Sequence, residues 1–384
     1  MANLDVRTPR FYVDYINYLA NRDNFGGHYK IETSGSTGEQ IDVATGSNIA
    51  NLYDMRPLNQ VEFNTTGNTD GHVNLWFDLK SQSFKIDFVA ILNHNMMAAD
   101  AKVRISSSDG RDTNDDGNIN VLGSTYVSSV NHHHSSSGTN GTGAIMSRVI
   151  GVDTDTPTGT QQVGIINNIA STDTSTNGWG AGHTIIKLNE TSDRFWGIQF
   201  EGTNSQTSLA HGDGTFDTST NLKIGCIMLG QYYDMPQAPD LQIKRSIVFD
   251  GVNVQQSIGG SRFSTLSNHG RRSLTSTNKS PFTTHYNSFG NYGGRMIYDM
   301  NFSYLNSSNI MPTKYDTNQN TDEAVVEDLW NKTNGRHTPF IFTQDNSSSD
   351  YSDFMFARFG QDNLDMTQVA DKVYNIKFRI EEEF

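Results

Sequence analysis

The chain has 384 residues, of which 35% are hydrophobic and 18% are charged, and its formal net charge is -14 at pH 7. The length allows two domains or one large β domain, while an excess of Gly, Asn, Ser and Thr over apolar residues argues against a helical bundle. The negative charge repels phosphate backbones, so we expect no nucleic-acid partner; the nearest approach to a basic patch, Arg271-Arg272, is typical of a solvated loop.

Cysteine content and hydropathy indicate the compartment. The single cysteine, Cys226, excludes an internal disulfide and a cysteine-only metal site, and its strand-like surroundings favour a buried structural thiol over a nucleophile. The first residues lack a basic-then-apolar signal, and apolar runs stay well below the ~18 residues of a membrane span. We therefore expect a protein that is made in a cytosol, does not insert into a membrane and has no secretory route of its own.

An aromatic-rich segment opens the chain, and we assign residues 1–30 to an N-terminal arm. Phe11, Tyr15 and Tyr18 recur at the i, i+4, i+7 spacing of a short amphipathic helix. Two interpretations stand for this arm. It packs on its own domain, or it docks on a neighbouring subunit.

Residues 31–237 have the strand pattern of a β-sandwich. Between 86 and 109 the pattern predicts two strands of one buried sheet, joined by a compact corner at Asn93-His94-Asn95. Residues 110–182 form a long polar insertion in this domain, which is either a flexible elaboration or a contact surface. Strong strands return at 195–200 and 222–228, and the pair Pro236 and Pro239 places a domain boundary near residue 238.

Residues 238–384 indicate a smaller C-terminal β domain with one short helix. Asp250-Gly251 between two strand-like runs predicts a β-hairpin with a two-residue turn. The helix is expected near 322–334, capped by Thr321 and ended by Gly335. A long strand near 296–304 follows from apolar residues that alternate onto one face: Met296, Tyr298, Met300, Phe302 and Tyr304. Further strands are expected at 339–343, 354–359 and 373–380.

The sharpest local motif is a possible calcium loop. Asp112, Asn114, Asp116, Asn118 and Asn120 follow the front half of the pattern D-x-N-x-D-G-x-I-x, with Gly117 at the sharp turn. Gly123 occupies the position of the usual bidentate acid, so a distant carboxylate would have to complete the site. The competing interpretation is an ordinary solvated turn rich in Asp, Asn and Gly.

The histidines offer weaker candidates. His132-His133-His134 alternate sides on an extended chain, so the three do not form one coordination sphere. His94 has no recognisable nucleophile or orienting acid, and a satisfied histidine at a strand corner is favoured over a catalytic one. With no motif for covalent, metal-dependent or phosphoryl-transfer chemistry in the sequence, and no pair of carboxylates singled out for glycoside cleavage, we expect no enzyme and no certain cofactor.

Two resemblances follow from particular stretches. Residues 88–96, 101–110, 194–202 and 222–230 (FVAILNHNM, AKVRISSSDG, RFWGIQFEG, LKIGCIMLG) resemble the galactose-binding-like, or discoidin-like, sandwich. Residues 8–19, 336–347, 354–360 and 373–384 (TPRFYVDYINYL, RHTPFIFTQDNS, FMFARFG, VYNIKFRIEEEF) resemble tail or baseplate proteins of tailed bacteriophages. The first resemblance implies an all-β fold whose N-terminal domain is a galactose-binding-like jelly roll with the 110–182 insertion.

The second resemblance implies a non-enzymatic virion protein of the distal tail or baseplate. Such a protein is made in the host bacterial cytoplasm and assembles as a symmetric ring with itself and with other tail proteins. The alternative is a carbohydrate-binding module that recognises host surface glycans. Exposed aromatic rings stack on sugars, and Trp179, Tyr232 and Tyr233 are the candidates for that role. A glycan-degrading enzyme is a third reading without a motif to support it.

Overall fold

The computed structural model describes residues 6–21, 41–68, 72–79, 84–96, 98–108, 147–150, 165–166, 182–191, 195–202, 215–248, 252–266, 295–311, 324–348 and 353–383. The strands in the first half of the chain are β1 (Arg10–Asp14), β2 (Val61–Phe63), β3 (His72–Asp78), β4 (Ile86–His94), β5 (Ala101–Ser108), β6 (Ser147–Ile150), β7 (Ile165–Ile166), β8 (Gly182–Thr191) and β9 (Phe195–Gly202). Those of the second half are β10 (Leu222–Ile224), β11 (Cys226–Asp234), β12 (Lys244–Val248), β13 (Val252–Gln256), β14 (Arg262–Leu266), β15 (Arg295–Asn306), β16 (Phe340–Thr343), β17 (Phe354–Phe359), β18 (Met366–Ala370) and β19 (Val373–Glu382).

Helices are few and short. The described ones are α1 (Tyr15–Asn21), a 3-10 helix (Ile49–Tyr53), α2 (Ser307–Ile310) and a π-helix (Val325–Asn331). The strand pairs are antiparallel throughout the described residues. The prediction of an all-β fold is therefore confirmed.

The described residues divide into two compact units. The terminal unit takes its residues from Met1–Val13, Tyr232–Tyr315 and Asp322–Phe384, and the central unit takes its residues from Asp14–Gln231. The division falls between Gln231 and Tyr232, and it separates most of β1 from α1, which the sequence placed in one arm. The domain boundaries expected from the sequence, including the one near residue 238, stay predictions.

Two sheets carry most of the central unit. In one, β4 lies between β11 and β8, and β7 follows β8. All nine residues of β4 are buried, so both of its faces are covered. In the other sheet the order is β3-β9-β5-β6. Its buried face contains rows of paired apolar residues, such as Val73, Phe200 and Val103, as expected for side chains that alternate along half-buried strands.

This topology corrects one prediction from the sequence. β4 and β5 do not share a sheet, because β4 pairs with β8 and β11 whereas β5 pairs with β6 and β9. The reason is the corner between them, where Asn93 and Asp100 both have positive φ, 52° and 47°. Two left-handed residues within eight positions turn the chain out of one sheet, which alternation in the strands does not reveal.

The N-terminal helix begins later than predicted. Residues 10–14 are a strand, and β1 pairs with β16 in the register Arg10↔Thr343 to Tyr12↔Ile341. All five residues of β1 are buried, so this segment has no polar face, and its apolar run fits a strand as well as a helix. Asp14 then begins α1 by accepting hydrogen bonds from the backbone N–H groups of Ile16 and Asn17.

In the terminal unit the strand order is β12-β15-β19-β17-β16-β1, and β18 pairs with the other half of β19, on the same side as β17. The aromatic core of this sheet gathers around Phe359, whose ring lies 4.8 Å from that of Phe340 and 5.2 Å from that of Phe378. The Phe11 ring of β1 joins the same cluster. Burial of these large rings is the main favourable contribution to this core.

The predicted hairpin around Asp250-Gly251 is wrong. β12 pairs with β15, and β13 pairs with β14, so the two runs that flank Asp-Gly are not partners. A two-residue turn signal specifies only a local bend, whereas strand pairing depends on which distant apolar surface is available. The hairpin lies one strand further along the chain, with Ser257 and Ser261 closing its turn through a 2.8 Å backbone hydrogen bond.

The helix expected near 322–334 is a π-helix over Val325–Asn331, and its proposed cap, Thr321, lies outside the described residues. This segment also contains a buried ion pair between Asp328 and Lys332, 2.6 Å. Gly335 does end this segment as expected, since it has φ +62° and its N–H donates to the carbonyl of Trp330.

Candidate assembly surface

An exposed edge strand begins the candidate site. β12 is the first strand in the order of the terminal sheet, and it pairs with β15 from Lys244↔Asp299 to Val248↔Arg295. Every residue of β12 is at least partly exposed, and Ile247 and Val248 are 57% and 39% exposed. An edge strand presents a row of backbone N–H and C=O groups to which another strand can add.

The β13–β14 hairpin, which follows β12 in the chain, is a separate two-stranded sheet that is also exposed. All five residues of β13 are exposed, and its partners run in register from Val252↔Leu266 to Gln256↔Arg262. Four large apolar side chains of the hairpin are exposed: Val252 (44% exposed), Val254 (57%), Phe263 (62%) and Ile258 at the turn. A two-stranded hairpin whose described side chains are exposed is marginal in water, and exposed apolar side chains of this kind are candidates for contact with a partner.

The charge of this region is opposite to that of the chain. Residues 241–248 and 252–266, which we call the basic edge, contain Lys244, Arg245 and Arg262 and no Asp or Glu. Asp250, between the two ranges, lies outside the described residues. In a chain with net charge -14, a basic and apolar edge is complementary to much of the remaining surface.

A second exposed strand carries the opposite charge. Residues 361–371, which we call the acidic edge, contain Asp362, Asp365 and Asp371 and no Lys or Arg. Within this segment β18 pairs with β19, and all five of its residues are exposed. Met366 and Val369 are 40% and 45% exposed, so this edge also combines charge with apolar surface.

The sheet places the two edges on opposite sides of one strand pair. β15 and β19 pair with each other, β12 lies on the outer side of β15, and β18 lies on the outer side of β19. β12 pairs with residues 295–299 of β15, whereas β18 pairs with residues 373–376 of β19, which are the partners of 302–306, so the two edges lie on opposite sides of the β15–β19 pair and towards opposite ends of it. A surface that is basic on one edge and acidic on the other is complementary to a second copy of itself in a head-to-tail arrangement.

Several residues predicted from the sequence lie outside the described residues. These are the calcium loop (Asp112, Asn114, Asp116, Asn118 and Asn120), the run His132-His133-His134, Trp179 and Arg271-Arg272. The calcium site therefore stays a prediction. Among the residues that the structure does describe, no group of three or more His, Cys, Asp and Glu side chains is arranged to hold a metal ion.

His94 is a buried corner residue, as the sequence analysis favoured. Its side chain is 1% exposed, and its Nδ1 accepts a hydrogen bond from the Met96 N–H at 3.4 Å. Burial lowers the pKa of His94 to about 3, because the charged imidazolium is poorly solvated there. The imidazole is therefore neutral at physiological pH.

The amides beside His94 hold the corner together. Asn93 donates from Nδ2 to the Pro57 carbonyl at 2.6 Å, and Asn95 donates to the Asn221 carbonyl at 2.8 Å. Asn95 also accepts from the Lys223 N–H at 2.6 Å through Oδ1. These groups satisfy backbone atoms of neighbouring segments, so the corner is scaffold.

Cys226 is fully buried, as predicted, with its Sγ 3.9 Å from the Met55 Sδ. Burial raises the pKa of its thiol well above the usual value, and the charges of Asp14 and Asp54 act in the same direction. A thiol that stays protonated is a poor nucleophile.

The two described aromatic candidates for sugar stacking are not free platforms. Tyr233 is only 6% exposed. The Tyr232 ring is covered on one face by the Arg10 guanidinium, whose Cζ lies 3.9 Å from the ring centroid. Asp234 holds that guanidinium through bonds to Nε and Nη2 of 2.5 and 2.7 Å. Both tyrosines therefore serve the interior of the terminal unit.

The described helices are short. The longest helices in the described ranges have seven residues, far fewer than the roughly 20 of a bilayer-spanning helix.

Comparisons with known proteins assign no family. No family model matches the chain, and no curated protein matches it. A solved structure described as truncated AlyQ with CBM32 and alginate lyase domains is similar at 13% identity over 73% of this chain. The chain spans about half the length of that protein (49%), and the TM-score is 0.23, which is too low to establish a shared fold.

Neither of the two charged edges was predicted from the sequence. A signal was present, because 241–266 contains three basic residues and one acidic residue in a chain where Asp and Glu outnumber Lys and Arg by 42 to 28. What the sequence does not show is that the two segments lie on opposite sides of one pair of strands. That fact depends on pairing across more than 50 residues, such as β12 with β15.

Proposed function

We propose that this chain is a non-enzymatic structural protein of a tailed-phage virion, in the distal tail or baseplate, that assembles head to tail into a symmetric ring. The observation that carries the assembly is the pair of complementary edges on opposite sides of β15 and β19. The phage setting is supported by the resemblance of residues 8–19, 336–347, 354–360 and 373–384 to tail proteins. In that setting the protein is made in the host cytoplasm and resides in the virion with other tail proteins.

A head-to-tail contact is favoured over a two-fold contact by charge. In a two-fold contact the same patch meets itself, so Lys244 and Arg262 of one copy would face Lys244 and Arg262 of the other. A head-to-tail contact instead brings Lys244 and Arg262 of one copy to Asp365 and Asp371 of the next. Such contacts close into a ring when the rotation that relates neighbouring copies divides a full turn into a whole number of equal steps without a shift along the axis.

The size of the basic edge suits a specific interface. It spans roughly 20 residues, and a standard interface takes about 20–30 residues from each partner. Ile247, Val254 and Phe263 would supply its apolar centre, and the charged residues its rim. The rim would then set orientation, while the apolar side chains would supply most of the affinity.

The experiment is a charge swap on the purified full chain, with mass measured by light scattering and native mass spectrometry. We expect the wild type to form a closed oligomer at micromolar concentration. Lys244→Glu with Arg262→Glu should give monomers, and so should Asp365→Lys with Asp371→Lys, since each set puts like charges together.

The chain that carries all four substitutions should assemble again, because both edges are reversed. A wild type that stays monomeric, or variants with only one edge reversed that assemble as the wild type does, would overturn the head-to-tail contact. The phage setting is tested separately by tails produced without this protein. They should be incomplete, and normal infectious tails would refute it.

The central unit is proposed to be the galactose-binding-like sandwich implied by residues 88–96 and 222–230. Its support is the antiparallel pairing of those two stretches, from Cys226↔Leu92 to Gly230↔Phe88. A jelly-roll topology is part of the same proposal. The carbohydrate-binding alternative receives no support from Tyr232 or Tyr233, which are engaged in the terminal unit.

A further inference from the structure

A β-bulge in β15 exposes an aromatic ring that the alternation pattern places with the core. The register between β15 and β19 breaks between Phe302 and Leu305, so Ser303 and Tyr304 together face Asn375. Leu305 takes the next buried position, with 1% exposure, and Tyr304 turns outward with 74% exposure. The extra residue of the bulge is therefore what presents the tyrosine.

The backbone at this position is strained. Tyr304 has φ +62°, a left-handed conformation that is rare for a bulky residue and costs free energy. Its N–H donates to the Asn375 Oδ1 at 2.9 Å, which holds the conformation in place. The bulge lets Leu305 take the buried position, while the Tyr304 ring itself gains little packing from the strained conformation. Strain that aims a side chain into solvent is typical of binding sites.

Polar side chains are fixed beside the ring. The Ser303 hydroxyl donates to Asp240 Oδ2 at 2.7 Å, and Gln237 Nε2 donates to the Ser303 carbonyl at 2.5 Å. The Asp240 N–H donates to the Asn301 carbonyl at 2.8 Å, which anchors this residue against β15. Ser303, the residue before Tyr304, is thus hydrogen-bonded to the carboxylate of Asp240 and to the carboxamide of Gln237.

The surrounding sheet face is polar. The pair next to the bulge is Phe302↔Ile376, which is buried, and the pair after it is Asn301↔Lys377, of which Lys377 is exposed. On the face opposite to that of Phe302 and Ile376, an amide and an ammonium group therefore follow the bulge. Protein interfaces have apolar centres, whereas saccharides pair one apolar ring face with many hydroxyl groups.

We propose that Tyr304, Ser303, Asp240 and Asn375 form a binding site for a hydroxyl-rich saccharide of a bacterial surface polysaccharide. The Tyr304 ring stacks on the apolar face of one sugar residue. The Asp240 carboxylate accepts from sugar hydroxyls, and the Asn375 amide, whose oxygen is held by the Tyr304 N–H, donates to them through its nitrogen. Asn375 pairs with Thr367 of the acidic edge, and Asp240 directly precedes the basic edge, so the site lies beside both edges. The bacterial source of the saccharide rests on the proposed phage setting.

The test uses the full chain on an array of purified bacterial capsular and O-antigen polysaccharides, followed by calorimetric titration with the best-bound polysaccharide. Tyr304→Asn is the main variant, because asparagine tolerates the left-handed backbone and lacks the ring. We expect it to bind at least tenfold more weakly, with an unfolding midpoint that is unchanged or higher. Tyr304→Phe should bind within threefold of the wild type, and Asp240→Asn should bind about threefold to tenfold more weakly.

Leu58→Ser is the control, since it also removes an exposed large apolar side chain but lies outside the proposed contact and the site, and its saccharide affinity should equal that of the wild type. The proposal is overturned if the wild type binds no polysaccharide on the array, or if Tyr304→Asn binds as tightly as the wild type. A Tyr304→Asn chain that loses oligomerisation, with no saccharide bound by the wild type, would assign the ring to a protein contact instead.

Discussion

Two stretches of similar composition have opposite environments in this protein. β4 in the central unit is buried at all nine positions, whereas β13 in the terminal unit is exposed at all five. Both contain β-branched residues, and both adjoin a turn rich in polar residues. The difference teaches that an apolar strand shows where surface must be covered, but not whether the chain itself or a partner covers it.

The corner that follows β4 makes the contrast sharper, because its polar groups are enclosed. Asn93 and His94 are 6% and 1% exposed, and each makes a hydrogen bond within the central unit. The turn of the β13–β14 hairpin is made by residues that are all exposed, Ser257 to Ser261. Substitutions matched across these two places therefore measure how much each contributes to folding.

The largest change in the free energy of unfolding is expected from replacing a glycine at the corner. A Cβ added at Gly225 would lie 2.0 Å from the Pro57 carbonyl oxygen and 2.9 Å from the Asn93 Cβ. Gly225→Ala should therefore destabilise the fold by about 3 kcal/mol or more, because backbone must move to relieve the overlap. Gly259→Ala in the hairpin turn is the control, since its nearest neighbour would be the Ser257 Oγ at 3.9 Å. Urea denaturation measures both, and equal midpoints would contradict the assigned packing at the corner.

The sequence predicted strands well where one face is buried and the other is not. The pattern at 195–200 and 373–380 was confirmed because Ile198, Phe200, Ile376 and Phe378 alternate with residues of the opposite face. It failed at β1, where every residue is buried and no period exists. Pairing partners were predicted poorly. β12 pairs with β15, about 50 residues further along the chain, and β13 then pairs with β14 instead of β12.

The candidate site was beyond sequence reasoning for a related reason. Alternation places Tyr304 on the face of Met300 and Phe302, but a one-residue bulge reverses its direction. A bulge is a property of two strands in register, and the β15 sequence alone does not contain it. Likewise, the acidic composition of 361–371 is readable, but its position opposite the basic edge requires the pairing of β15 with β19.

A smaller effect is expected from the corner amide. Asn93→Ala removes the hydrogen bond to the Pro57 carbonyl and leaves an alanine at φ +52°. We expect a loss of about 2 kcal/mol, the sum of a buried unsatisfied carbonyl and left-handed strain. Asn93→Gly should regain the part of the stability that is lost to backbone strain, but not the part that is lost with the hydrogen bond. Asn253→Ala, at an exposed position of β13, should change the free energy of unfolding by less than about 0.5 kcal/mol. Chemical denaturation that ranks Asn253→Ala beside Asn93→Ala would show that the corner is not rigid.

The next effect depends on pH. The pKa of His94 is about 3 in the folded protein, below the ordinary value of 6.5. Below pH 6.5 the unfolded chain therefore binds a proton that the folded chain excludes, and stability falls by about 1.4 kcal/mol per pH unit until the pH approaches 3. His94→Gln should reduce the slope of unfolding free energy against pH between 6 and 4 by that amount. Gln255→Ala, at an exposed position of β13, removes no titratable group and should leave the slope unchanged. Parallel slopes for the wild type and His94→Gln would mean that the imidazole is solvated.

The smallest effect on folding is expected from the hairpin, and it separates the two environments most clearly. Phe263 is 62% exposed and Val254 is 57% exposed, so replacing both by serine removes little buried surface from the monomer. The free energy of unfolding at a concentration where the chain is monomeric should change by less than about 0.5 kcal/mol. Oligomerisation should nevertheless be lost, because these side chains would form the apolar centre of the proposed contact. Val89→Ser in fully buried β4 is the counterpart, and it should lower stability by about 2–3 kcal/mol. If Val254→Ser with Phe263→Ser unfolds as readily as Val89→Ser, the hairpin is part of the monomer core, and its apolar side chains are not reserved for a partner.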